Sequence, residues 1–133
     1  MIEPLLPVAL LVAAPIHADA PAASPMPLTI EQETALRCSA VFAIVSREQA
    51  RHALVSEGLP QPGLRGREYF VVTTARLMDE TSAMRAQVAA LFKSRHAQIM
   101  AELAAAKDPR AARAAMLTPC LALLEAELDA KPE

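Results

Sequence analysis

Tryptophan is absent from this chain of 133 residues, and one tyrosine and three phenylalanines are its only aromatic side chains. Aromatic rings supply much of the burial in a small core, so a domain built from this sequence has to close on aliphatic contacts and some further constraint. Glycine is nearly as scarce. Gly58, Gly63 and Gly66 all fall within nine residues, together with Pro60 and Pro62. That cluster is interrupted by proline and follows no strand, which excludes a glycine-rich phosphate loop. The serines Ser39, Ser46, Ser56, Ser82 and Ser94 lack the glycine-flanked setting of a nucleophile elbow, so nucleophilic hydrolysis has no support.

Metal and haem chemistry are equally thin. The two cysteines form no Cys-x-x-Cys or Cys-x-x-Cys-His pattern, and the three histidines include no pair four residues apart on one helix. No cofactor or metal is expected. Asp79 and Glu80 are the one adjacent acid pair of the central region, but helical neighbours point about 100° apart and would not share a proton or an ion. Arg76, four residues before Glu80, offers it a surface ion pair instead.

Lysine and arginine are missing from the sequence before Arg37, and Glu3 is the earliest charge. A signal peptide normally opens with lysine or arginine, and in that one respect the N-terminus departs from the pattern. The rest fits. Leu5 to Ile16 is an almost unbroken apolar run, too short for a membrane helix of about 20 residues and broken by Pro7 and Pro15. Small residues follow it. Residues 1–18 are therefore expected to be a signal peptide cleaved after Ala18, or after Ala20, although Pro21 would then stand awkwardly beside the cut. Residues 19–27, rich in alanine and proline, read as a disordered linker. Cleavage after Ala18 leaves a net charge of about −1, which gives no long-range pull toward nucleic acid or an anionic membrane surface. The predicted compartment is the periplasm or the exterior of the cell.

What remains, residues 28–131, is free of glycine and proline from Leu28 to Glu57 and again from Arg67 to Asp108. Such stretches predict helices. Thr29 and Gln32 have the spacing of a capping box, and Gly58 supplies a stop. Within this first helix Cys38, Val41, Phe42, Val45, Gln49 and His52 share a face, while Arg37, Arg47, Glu48 and Arg51 lie largely elsewhere. Ala40 to Val45 is apolar on nearly every side, so the helix should be central. Arg67 to Thr74 has strand-like composition, yet Phe70, Thr74, Leu77 and Met78 continue at helical spacing and no second strand is present to pair with it. A third helix is expected to be capped by Ser82 and to present Met84, Val88, Leu91, Phe92, Ile99, Met100 and Leu103 as a stripe. Asp108-Pro109 marks a fourth, kinked or restarted at Thr118-Pro119. The fold class is all-α, a small bundle of four helices.

Cys38 and Cys120 both fall on inward faces of helices distant in sequence. In an oxidising compartment they are expected to form a disulfide, closing a loop of 82 residues and stabilising the domain by roughly 4 kcal/mol. Leu28-Thr29-Ile30-Glu31-Gln32 resembles the Leu-Thr-x-x-Gln motif of small all-helical periplasmic stress chaperones and metal-stress sensors. The resemblance covers five residues, and Leu117-Thr118-Pro119-Cys120-Leu121 lacks the glutamine of a second copy.

The reading that follows is a non-enzymatic binding module of the cell envelope whose partner is another envelope protein or peptide. A chaperone-like protein presenting an apolar face, suggested by Met78, Met84, Met100 and Met116, is the alternative. A small enzyme would need a pocket with converging polar groups, for which His96, Arg95 and Tyr69 are the candidates.

Overall fold

The computed structural model describes residues 26–130. Among them are four α-helices, α1 (Ile30–Ala50), α2 (Gly63–Thr81), α3 (Arg85–Ala105) and α4 (Pro109–Leu128), with a single 3-10 turn at Leu54–Ser56 and no strand. The proposed signal peptide and all but the last two residues of the linker lie outside the described residues.

Helix α1 begins as its sequence dictates. Gln32 donates its backbone N–H to the Thr29 hydroxyl at 3.1 Å, and Thr29 donates its own N–H to the Gln32 side chain at 3.0 Å. The helix ends eight residues before the expected stop at Gly58. His52 takes the left-handed conformation (φ 56°), and the Ala53 N–H reaches back to the Glu48 carbonyl while the His52 N–H reaches Gln49. These two bonds make a Schellman closure with histidine where glycine is usual. His52 is thereby exposed rather than inward-facing.

The segment with strand-like composition is the middle of α2. Its threonines are accommodated by back-bonding, Thr73 to the Tyr69 carbonyl at 2.7 Å and Thr74 to that of Phe70 at 2.6 Å, which lets both hydroxyls be buried. Ser82 does not cap α3. It ends α2 in the left-handed conformation, and α3 starts after Met84, whose backbone N–H is received by the Gln87 side chain at 2.8 Å. Met84 is therefore 71% exposed instead of lying in the stripe; Met100 is exposed too, and of that stripe Val88, Ile99 and Leu103 are buried. Asp108 caps α4 through the Ala111 N–H at 3.0 Å, with Pro109 in the first turn. Of the kink or restart expected at Thr118-Pro119, the restart does not occur. Pro119 sits inside one unbroken helix, and Ala115, whose carbonyl loses its helical donor, is exposed.

Every other helix packs on α1. Helix α2 runs antiparallel to it, because Gln32 meets Glu80 and Ser39 meets Thr73. Helix α4 is antiparallel as well, with Cys38 opposite Cys120 and Glu48 opposite Arg113. Helix α3 runs in the same sense as α1, since Glu33 pairs with Arg95 and Arg37 with Glu102. The core gathers Cys38, Val41, Phe42, Val45, Ile99, Leu103, Leu117, Cys120 and Leu124. Phe42 supplies its largest fully buried side chain and stands edge-on to Tyr69, ring centroids 5.4 Å apart. The Cys38–Cys120 disulfide joins α1 to α4 across a Cα–Cα distance of 5.2 Å.

Candidate functional site

Three helices cover α1 and leave one strip of it open. Ala43, Ser46 and Ala50 recur at three- and four-residue spacing and so face one way, and Ser39, one turn earlier on the same row, is buried against Thr73. Beside them Gly63, Gly66, Arg67 and Phe70 of α2 form one wall, and Phe92 of α3 contributes the other. The result is a groove of about 540 Å³, open to solvent and floored by Phe42 and small side chains. Phe70 and Phe92 meet edge-to-face, centroids 5.0 Å apart, and both remain partly exposed. Three of the four phenylalanine and tyrosine rings therefore line the groove, Phe42 buried in its floor and Phe70 and Phe92 partly exposed, with Phe92 also packed against the core.

Gly66 makes the α2 wall possible. A Cβ placed there would stand 2.9 Å from the Pro62 Cβ and 3.1 Å from the Phe42 Cβ, so the two helix backbones approach closely only because the side chain is missing. The charge of the groove is one-sided. Arg47 on α1 and Arg67 on α2 are its only ionisable lining residues, and both are exposed. Arg37, Arg65, Arg76, Arg95 and Arg113 are each paired with a carboxylate, whereas Arg47 and Arg67 have no such partner among the described residues.

A second polar constellation is buried. Arg113 donates to both oxygens of Glu48, from Nε at 2.8 Å and from Nη2 at 2.6 Å, and the Ser56 hydroxyl donates to Glu48 Oε1 at 2.8 Å. Burial alone would raise the Glu48 carboxyl. The hydrogen bonds from Arg113 and Ser56, with the charges of Arg113 and Arg51, outweigh it and hold the group below its ordinary value. Arg113 Nη1 also donates to the Pro109 carbonyl at 2.8 Å. The cluster ties α1, the 3-10 turn and the start of α4 together, and its hydrogen-bonding capacity is spent on that.

The candidates read from sequence are dispersed. Arg95 is engaged with Glu33, one bond at 2.9 Å, and borders a shallow cleft beside Leu28 and Thr29. His96 is half-buried against Phe92, ring centroids 6.2 Å apart. Tyr69 is 3% exposed, and burial, reinforced by Glu127, pushes its hydroxyl above the ordinary tyrosine range. These three serve different neighbours and line no common cleft. Arg76 pairs with Glu127 rather than with Glu80, and Glu80 instead accepts from the Gln32 side chain at 2.6 Å. Among the described residues no three histidine, cysteine, aspartate or glutamate side chains come together as a metal site would require.

Sequence reasoning missed both constellations. Arg113 lies at helical spacing with Leu117, Cys120 and Leu124, a charged residue on an apolar stripe, and that was the available signal for burial. The groove has no comparable local signature, because it is defined by the side of α1 that no helix covers. Among the described residues no helix is long and apolar enough to cross a membrane. No protein-family model, curated protein or solved structure matches the chain.

Proposed function

We propose that this protein is an exported, non-catalytic binding module of the cell envelope, and that it takes a partner protein or peptide in the groove between α1, α2 and α3. The observation that carries the reading is the groove itself: an open apolar floor with Phe70 and Phe92 partly exposed along it and two arginines without carboxylate partners at its edge. Recognition surfaces of this kind are concave and mostly apolar, with a few polar groups that fix orientation. Export rests on the N-terminal sequence and agrees with a disulfide, which persists in oxidising compartments such as the periplasm.

Two measurements test it. Intact mass of protein recovered from the periplasm, with and without reduction before alkylation, should give a chain shortened by the signal peptide and two thiols released only on reduction. Display selection of peptides on the wild-type protein, counter-screened on Ala43→Glu, should yield ligands that the variant loses. Full-length chain in the cytosol with both thiols reactive would end the export reading, and ligands indifferent to Ala43→Glu would end the groove reading.

The chaperone-like alternative is favoured by the exposure of Met84 and Met100, 71% and 42%. It predicts that stoichiometric protein keeps a denatured client soluble and that Met84→Ser with Met100→Ser abolishes the effect.

A further inference from the structure

Building on the groove reading, we infer that the partner's bound element is an amphipathic α-helix whose apolar stripe is flanked by aspartate or glutamate. The groove follows a flank of α1 that is open to solvent at Ala43, Arg47 and Ala50. Its open floor runs from Ala43 to Ala50, seven steps along α1 and so about 10 Å, the length of two helical turns. Along that floor the side chains facing out are Ala43, Ser46 and Ala50, small enough to let a docking helix approach to the 8–10 Å of ordinary helix packing. Phe70 and Phe92, in edge-to-face contact with each other, offer one partly exposed aromatic ledge beside this floor, against which the apolar anchors of such a helix, spaced at i, i+3 or i+4, and i+7, would pack.

Charge selects among helices. No aspartate or glutamate lines the groove, and Arg47 and Arg67 come from two different helices, so the cations border more than one edge of the slot. Unlike the five arginines that pair within the fold, these two have their donors available for charge-assisted bonds to an incoming carboxylate. A ligand with several separated carboxylates uses both. A single-headed amphiphile would use one, and a groove open along its length would leave much of an acyl chain in water.

The test exploits the absence of tryptophan from the chain. A synthetic helix-forming peptide is used, with leucines at three- and four-residue spacing, glutamates flanking them and a single tryptophan. It is titrated with the disulfide-bonded protein while tryptophan emission is followed. Saturable binding is expected, weakening as salt is raised and falling by about tenfold or more in the Arg47→Glu, Arg67→Glu double variant. Ala43→Glu, which fills the slot and gives Arg47 an intrahelical carboxylate, should remove binding, and Lys107→Glu, remote from the groove, should leave it intact; circular dichroism verifies that each variant is folded. The inference is overturned if the same peptide with lysine in place of glutamate binds equally well, if the acidic peptide does not bind, if Ala43→Glu still binds it, or if laurate displaces it stoichiometrically. Should display selection still return ligands sensitive to Ala43→Glu in such a case, the groove reading survives and the helix assignment alone fails.

Discussion

Glu48 on α1 and Arg113 on α4, 65 residues apart in sequence, meet in the interior as a two-point ion pair, each side chain 9% exposed. The Ser56 hydroxyl completes the acceptor and the Pro109 carbonyl takes a further guanidinium donor. Removing one partner strands the other charge. Glu48→Ala or Arg113→Ala should therefore cost about 3–5 kcal/mol, read as a shift in the urea midpoint, whereas Glu48→Leu combined with Arg113→Met should be close to neutral. Singles and double equally destabilised would show that the pair itself, not the stranded charge, carries the effect.

Acid should weaken the fold for a traceable reason. Hydrogen bonds from Arg95 and Arg37 lower the carboxyls of Glu33 and Glu102, and at Glu48 the bonds from Arg113 and Ser56 outweigh the opposing effect of burial. A carboxyl that ionises more readily folded than unfolded adds stability that is fully present above its ordinary value, here 4.5. That stability is lost as pH falls below 4.5 through the lowered folded values. Unfolding free energy measured against pH should fall on the acid side of that value, and Glu48→Gln should flatten the fall. An unchanged slope in Glu48→Gln would remove this carboxyl from the account.

The cues that were legible in the sequence are local ones. Thr29 with Gln32 and Asp108 with Pro109 each place a helix start within four residues, and two cysteines leave only one intramolecular pairing. The end of α1 was not legible, since Gly58 advertised a stop while the chain turns at His52, a residue seldom found at positive φ. Glu48 and Arg113 carry charges that by themselves suggest a solvated face, though Arg113 shares the stripe of Leu117 and Cys120. The groove depends on how α2 and α3 sit against α1, a property of packing that no single segment encodes.

The Cys38–Cys120 bridge should account for a large part of the stability. Helices α1 and α4 are the first and last among the described residues, and the bond joins positions 82 apart in sequence. Replacing both cysteines by alanine should cost roughly 4 kcal/mol in the chain-entropy account, against about 5–15 kcal/mol for an ordinary domain. Thermal unfolding with and without reductant measures it. A melting temperature indifferent to reduction would mean that the α1–α4 contact holds without the bond.

Gly66→Ala is the sharpest probe of how the groove is built. Alanine is the better helix former by about 1 kcal/mol, so an unconstrained site in α2 would gain from the change. Here the added methyl would stand 2.9 Å from the Pro62 Cβ and 3.1 Å from the Phe42 Cβ, one in a rigid ring and the other at the root of the core's largest fully buried side chain. Neither can swing aside: relief of the Phe42 contact requires α2 to move off α1, and relief of the Pro62 contact requires the first turn of α2 itself to open. Overpacking of that kind costs about 1–3 kcal/mol, enough to outweigh the propensity gain and lower the melting temperature by several degrees. Because Phe42, Gly66 and Phe70 line the same groove, the displacement should weaken the acidic helical peptide as well. At Gly63 the added Cβ meets nothing within 4 Å, so Gly63→Ala carries only the strain of its positive φ of 53° and should unsettle stability without a comparable shift of the wall. Stabilisation by Gly66→Ala would show that the α1–α2 contact yields easily and that the groove has no fixed width.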